Sequence, residues 1–175
     1  VGSVFALAEE SGMKPAYRTA ILNEIKKGTE DAALVQTTLF SPTGFPFKVV
    51  QLNDTLANEA VYTARARVCD IGLLQQRGFS KAAADGTRRL FQRCPAAPVE
   101  GFIHKRGLPH NTEGRRCLCN GLLSCVGLGQ VDNHGEEPAI VTLGNHLDGI
   151  RRLSRQGQTQ YWVRDVVNDI LGNQG

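Results

Sequence analysis

Two cysteines separated by a single residue, Cys117 and Cys119, have the spacing in this chain that points most directly to chemistry. A Cys-x-Cys pair can present both sulfurs to one metal ion, with Zn–S distances of ~2.3 Å. Two further thiolates would complete a tetrahedron, and Cys69 and Cys94 are candidates because both lie in segments with few apolar residues. The sequence therefore predicts a metal site formed by these four cysteines. Thiolates suit both zinc and an iron–sulfur cluster.

Two other interpretations of these cysteines remain open at this stage. Reduced cysteines are among the residues most often buried in protein cores, so the four could be structural thiols. Cys117 and Cys119 could also form a redox pair, although Cys-x-x-Cys is the commoner redox spacing. The fifth, Cys125, lies in an apolar setting that is typical of a packed thiol.

The elements that must position these residues divide at about residue 52. We expect a strand over residues 1–8, a helix over 14–28, and two strands over 33–40 and 45–52. Pro15 suits the first turn of that helix and Gly28 its end.

Beyond residue 52 we expect helical pieces and loops to about residue 98, because apolar runs there are short. A short helix is predicted to follow Cys117. Leu147, Ile150 and Leu153 recur at helical spacing, and residues 162–171 have the pattern of a final amphipathic helix.

Composition favours a globular chain without membrane or nucleic-acid function. The 175 residues are 41% hydrophobic, and no apolar run approaches the ~18–20 residues that span a bilayer. The net charge of +3 comes from 20 basic and 17 acidic residues spread along the chain, without a basic stripe. An odd number of cysteines without a secretory segment indicates a reducing compartment, and we expect a cytoplasmic protein.

The start of the chain also carries information. No Met precedes the predicted opening strand, and the single methionine, Met13, follows it. We therefore expect the chain to be a fragment of a longer parent.

Three segments resemble the nitronate monooxygenase family, formerly called 2-nitropropane dioxygenases. They are VGSVFAL at residues 1–7 with EESG behind it, SPTGFPFKVV at 41–50, and RRCLCNGLL at 115–123. The last two are similar to a branch with a cysteine-containing C-terminal extension. The resemblance implies an α/β fold: residues 1–52 would be the C-terminal part of a flavin-binding (β/α)₈ TIM barrel, and residues 53–175 a mixed, mainly helical extension.

The resemblance also implies a cofactor and a reaction. Gly2 and Ser3 match one half of the cradle that holds the phosphate of flavin mononucleotide (FMN) through main-chain N–H groups, while the other half is absent from this chain. The parent would oxidise a small molecule, an alkyl nitronate, with oxygen to a carbonyl compound and nitrite. A flavin enoyl reductase, or a non-catalytic metal-binding or interaction module, is the alternative.

No catalytic residue is expected in this chain. In the family a histidine base lies on an earlier barrel strand, and all four histidines here follow the barrel segment. We expect them to be surface or loop residues: His104, His110, His134 and His146. The isolated chain is therefore expected to be inactive.

Overall fold

A computed structural model describes residues 2–65, 69, 71–133, 135–154 and 160–172. The helices in these ranges are, in chain order, α1 (Gly2–Ala6), α2 (Pro15–Lys26), α3 (Asp31–Leu34), α4 (Glu59–Ala64), α5 (Val99–His104), α6 (Leu118–Cys125), α7 (Asp148–Ser154) and α8 (Val163–Leu171). The strands are β1 (Val35–Phe40), β2 (Pro46–Val50), β3 (Gln76–Phe79), β4 (Leu90–Arg93), β5 (Val131–Asp132) and β6 (Gly135–Glu136). A 3₁₀ helix covers Pro109–Thr112.

The strands pair as three separate antiparallel hairpins, β1–β2, β3–β4 and β5–β6. The predicted strands over 33–40 and 45–52 are confirmed as β1 and β2, joined by a turn in which the Gly44 N–H donates to Ser41 O (2.9 Å). Gly44 has a φ of +97°, which favours glycine. The described strands do not close into a barrel, and the assignment to the end of a TIM barrel stays a prediction.

The opening segment differs from its prediction. The expected strand over residues 1–8 is wrong in this structure, where Gly2–Ala6 forms helix α1. A lone strand leaves its N–H and C=O groups without partners, whereas a helical turn satisfies part of them locally. In the described ranges no strand lies beside this segment to pair with it.

One large apolar core joins the two ends of the chain. It is built from α1, α2, the β1–β2 hairpin, α7 and α8, and its fully buried members include Leu7, Ile21, Val50, Ile150 and Val166. It draws residues from both sides of residue 52, and the predicted boundary there stays a prediction. We call this part of the molecule the core region.

The C-terminal elements agree with their predictions. Helix α6 follows Cys117, α7 contains Ile150 and Leu153, and α8 is amphipathic. The start of α8 is fixed by two carboxylates, because Asp165 accepts from the Trp162 N–H (2.8 Å) and Glu10 accepts from the Val163 N–H (3.0 Å). Within the described residues, no helix has the length and apolar character needed to cross a membrane.

Residues 69 and 71–119 form a second part, which we call the cysteine region. The β3–β4 hairpin here replaces the helical pieces and loops that were expected. Its strands lack alternation of apolar and polar residues, so the period-2 signal is missing. Gly78 supports the pairing, because a Cβ there would lie 2.8 Å from the ring of Phe91 on the facing strand.

Candidate functional site

The residues predicted to contact flavin line an open groove of about 560 Å³. Gly2 and Ser3 form one wall at the start of α1, while β2 and the segment before α7 form the others. The lining residues are Gly2, Ser3, Ala6, Pro46, Phe47, Lys48, Thr142, Leu143 and Gly144.

Ser3 is held in place by a close contact with Gly144. The Gly144 N–H donates to Ser3 Oγ (2.7 Å), and a Cβ at Gly144 would lie 3.0 Å from the same oxygen. Glycine therefore permits the approach that orients Ser3. A Cβ at Gly2 would meet no described atom within 4 Å, so packing among the described residues does not require glycine at position 2.

Lys48 is the one charged residue among the described groove-lining residues. Its exposed side chain projects from β2, and its Nζ donates to Asn145 Oδ1 (2.6 Å). An ammonium group beside main-chain N–H groups is a combination that binds anions such as phosphate. Sequence reasoning missed Lys48 and Gly144, which lie far from Gly2 along the chain. Only the fold brings them together.

The four cysteines predicted to bind metal occupy three segments of the cysteine region. Cys69 is exposed, Cys94 directly follows β4, Cys117 directly precedes α6, and Cys119 lies in its first turn. Cys94 and Cys119 are half-buried, and Cys117 is buried.

The β3–β4 hairpin brings the first two cysteine segments together. Gln76 pairs with Arg93, so Gln75 and Cys94 lie at the same open end of the hairpin. The amide Nε2 of Gln75 donates to Cys69 Sγ (3.3 Å). Gln75 therefore contacts Cys69 and precedes the strand that pairs with the residue before Cys94.

Helix α4 links the Cys94 segment to the Cys117 segment. The Tyr62 hydroxyl donates to Ala96 O (3.1 Å), two residues beyond Cys94. The Arg116 guanidinium lies 4.1 Å from the centre of the Tyr62 ring, a cation–π contact that fixes the residue before Cys117. Arg116 also donates through Nε to Leu56 O (3.1 Å) and pairs with Glu59.

Cys94 is a weakly acidic thiol. Burial raises the pKa of Cys94 to about 11, and a hydrogen bond from the Ala96 N–H opposes this rise. Negative charge on Cys117, Cys69 and Cys119 raises this pKa further.

Cys117 has its own set of neighbours. Burial raises its pKa, while the charge of Arg65 and a hydrogen bond from the Asn120 N–H lower it. Arg65 in turn pairs with Glu137 in the interior (2.5 Å).

The four predicted ligands do not form a metal site in this structure. In the part of the chain that the structure describes, no three or more His, Cys, Asp or Glu side chains are arranged to hold a metal ion. The predicted metal site therefore stays a prediction.

Cys125 and the histidines lie where the sequence indicated. Cys125 is buried in the core region, as expected for a packed thiol. His104, His110 and His146 are exposed, and His134 lies outside the described residues.

Comparisons of this chain with protein-family models, with curated proteins and with solved structures found no match.

Proposed function

We propose that this chain is the C-terminal part of a cytoplasmic, FMN-dependent oxidoreductase of the nitronate monooxygenase type. Gly2 and Ser3 would contact the flavin phosphate in this protein. The observation that carries the proposal is that both residues share a groove with Lys48.

The groove suits a phosphate group for three reasons. Gly2 has no side chain to keep a ligand away from the main chain. The first N–H groups of a helix have no partner within it, so those at the start of α1 can point to a ligand. The Lys48 ammonium adds a positive charge, which a phosphate of charge about −1.5 to −2 requires.

FMN would supply the electron transfer from a bound alkyl nitronate, which ends as a carbonyl compound and nitrite after reaction with oxygen. We assign no catalytic residue to this chain. Its role would be to hold the phosphate end of the cofactor, so the chain alone should be inactive. Residues earlier in the parent would supply the base and the rest of the barrel.

Calorimetric titration of the full-length apo protein with FMN tests the phosphate contact. Gly2→Val should weaken FMN binding at least about tenfold, because the side chain occupies the approach to the main chain. Gly101→Val is the matched control: it also adds bulk to open space on a short helix, but far from the groove in sequence. Unchanged FMN affinity in a folded Gly2→Val protein would contradict the proposal.

The Lys48→Gln substitution removes the positive charge from the same groove but keeps a long polar side chain. We expect a smaller loss of FMN affinity than with Gly2→Val, and the loss should shrink as salt concentration rises. Riboflavin, which lacks the phosphate, should bind the variant and the native protein equally. An equal loss for riboflavin would argue against a phosphate contact.

An enoyl reductase would use the same groove for the same cofactor, so its distinction from a monooxygenase depends on substrate. Oxygen consumption with alkyl nitronates supports the monooxygenase, and reduction of an enoyl thioester supports the alternative. A non-catalytic metal-binding module is the second candidate, favoured by the Cys-x-Cys spacing of Cys117 and Cys119 at the start of α6. Absence of bound flavin from the full-length protein would favour it.

A further inference from the structure

We propose that the β3–β4 hairpin carries a binding surface for single-stranded nucleic acid, RNA or DNA. The proposal is independent of the flavin groove, which shares no residue with this hairpin. It depends on the charge of the hairpin, on which of its faces is covered, and on one exposed aromatic ring. We call the binding surface the hairpin surface, and its members are Arg77, Phe79, Lys81, Arg88, Arg89 and Leu90.

Positive charge is concentrated in the hairpin. Residues 76–93 contain five of the chain's 20 basic residues and one of its 17 acidic residues, Asp85. The rest of the chain is therefore close to neutral. Asp85 accepts hydrogen bonds from the N–H (2.9 Å) and the hydroxyl (2.7 Å) of Thr87, so its carboxylate is bonded within the turn.

The basic side chains of the hairpin surface are available to a polyanion. All four are exposed, and none of them forms an ion pair with a carboxylate of the described residues. They are Arg77, Lys81, Arg88 and Arg89. The fifth basic residue of the hairpin, Arg93, has a different role.

Arg93 lies on the face of the hairpin that packs toward α5. Gly78 pairs with Phe91, two positions before Arg93, so Phe91 and Arg93 share this face. The Arg93 guanidinium lies 5.2 Å from the centre of the Phe102 ring in α5. Gly78 leaves room for the Phe91 ring, because a Cβ there would lie 2.8 Å from it. This face is therefore already occupied by contacts within the chain.

The opposite face is open to solvent. Arg77 and Phe79 lie on it, because side chains alternate along a strand and both residues flank Gly78. Leu90 pairs with Phe79 from β4. Phe79 is 66% exposed and Leu90 58%, although both are apolar. The hairpin surface thus presents an aromatic ring and a guanidinium on one uncovered face.

The tip of the hairpin adds three cations beyond the strands. The Ser80 N–H donates to Arg89 O (2.8 Å) and the Arg89 N–H donates to Ser80 Oγ (3.0 Å), which continues the pairing toward Lys81 and Arg88. The sequence shows no basic stripe because these residues are irregularly spaced along it. Pairing of the two strands gathers them, and this is why the expectation of no nucleic-acid partner missed the hairpin surface.

These groups match the two parts of a single-stranded nucleic acid. Lysine and arginine bind backbone phosphates, and unpaired bases stack on exposed aromatic rings and on arginine planes. A duplex keeps its bases stacked inside, and an acidic peptide has none, so each would use the cations without the Phe79 ring. A lipid surface requires a wider apolar face than Phe79 and Leu90 provide. The combination of ring and cations therefore favours a single strand.

Fluorescence anisotropy of a short labelled single-stranded RNA, titrated with the full-length protein, tests the proposal. Affinity should fall as salt rises, with a slope of log affinity against log salt no steeper than about −3, since four exposed cations release about 0.7 counterion per phosphate. DNA of the same sequence should also bind. The corresponding duplex should bind more weakly, because it cannot stack a base on Phe79.

Two substitutions separate stacking from charge. Phe79→Ala should weaken binding about tenfold and leave the salt slope unchanged, whereas Phe79→Trp keeps a ring and should preserve affinity. Arg77→Gln should weaken binding about three- to tenfold and make the salt slope shallower by about 0.7. The matched controls are Phe45→Ala and Arg164→Gln, which remove comparably exposed side chains from other elements and should leave affinity unchanged.

A second measurement needs no variant. Ultraviolet cross-linking of the native protein to the RNA, read by mass spectrometry, should place the linked nucleotide on residues 76–93. Cross-links confined to other elements, or no binding at low salt, overturn the proposal. Equal losses in Phe79→Ala and Phe45→Ala also overturn it. Vesicles containing phosphatidylserine and polyglutamate serve as competing polyanions, and tighter binding to either than to the RNA would assign the surface to that partner instead.

Discussion

The core region and the cysteine region of this molecule are ordered by different means. The core region buries apolar residues from α2, α7 and α8, with α1 packed against them, and its side chains Leu7, Ile21 and Ile150 are fully buried. The cysteine region buries few apolar side chains and depends instead on arginine. Arg93 lies 5.2 Å from the Phe102 ring centre and donates to Lys105 O (3.0 Å), which ties β4 to α5.

This difference indicates where a metal would matter. Burial of apolar surface stabilises the folded state by about 25 cal/mol per Å². In the core region this burial can offset the conformational entropy lost on folding. Exposed cation–π contacts and hydrogen bonds contribute only about 0.5–1.5 kcal/mol each. A metal bound by the predicted ligands Cys69, Cys94, Cys117 and Cys119 would therefore add more order to the cysteine region than to the core region.

Metal removal should have the largest effect and should separate the two regions. A structural zinc contributes on the order of 10 kcal/mol to the domain that it folds. After chelation we expect amide exchange over residues 76–119 to accelerate at least a hundredfold, while α2 keeps its protection. Hydrogen exchange read by mass spectrometry measures both. Equal acceleration in α2 would show that the regions are not ordered separately.

A cavity in the core region should produce the opposite pattern. Ile21→Ala removes a fully buried side chain from α2 and should lower the free energy of unfolding by about 2–5 kcal/mol. Metal content should stay unchanged if the native fold persists. Thermal unfolding and metal analysis on the same sample check this, and loss of metal from a still-folded variant would link the regions more tightly than we expect.

Gly121 tests the junction between the regions. A Cβ at this position in α6 would lie 3.1 Å from the backbone nitrogen of Ile140, which donates to Gly121 O (2.9 Å). Gly121→Ala should therefore cost about 1–3 kcal/mol through overpacking. The control Gly101→Ala adds its Cβ to open space in α5 and should be neutral or stabilising by about 0.5–1 kcal/mol. Denaturant titration distinguishes the two outcomes.

Alkaline pH should have the smallest effect. Without metal, Cys94 has a pKa of about 11 in the folded protein against 9.0 for an ordinary thiol, so the unfolded chain loses its proton first. Stability from this group is present below pH 9 and falls as pH rises toward 11, by about 1–2 kcal/mol because the thiol is partly exposed. Cys94→Ser should remove this part of the pH dependence. If chelated Cys94→Ser and chelated native protein lost stability equally as pH rises, this prediction would be wrong.

The sequence allowed the core region to be predicted better than the cysteine region. Helix α2 was predictable because Pro15 and Gly28 mark its ends and its apolar residues recur at helical spacing. The β1–β2 hairpin was predictable from the turn that contains Gly44. These signals are local, so a single sequence carries them.

Other features depend on contacts between distant residues. The pairing of β3 with β4 leaves no alternating pattern, and α1 forms where a strand was expected. No local sequence pattern assigns a role to Arg116, whereas the structure buries its guanidinium against Leu56 O and the Tyr62 ring. Lys48 and Gly144 reach the groove through tertiary packing, which no local pattern encodes. Metal binding by Cys69, Cys94, Cys117 and Cys119 stays a prediction.

The position of Trp162 has a practical consequence. The chain contains a single tryptophan, which precedes α8 in the core region and is 39% exposed, next to the buried Tyr161. Its emission spectrum therefore reports on the packing of α8 and not on the hairpin that carries Cys94. Reaction of the cysteines with a thiol-reactive dye reports when the cysteine region opens, and a change in Trp162 emission reports when the core region opens. One optical experiment can therefore time the two events separately.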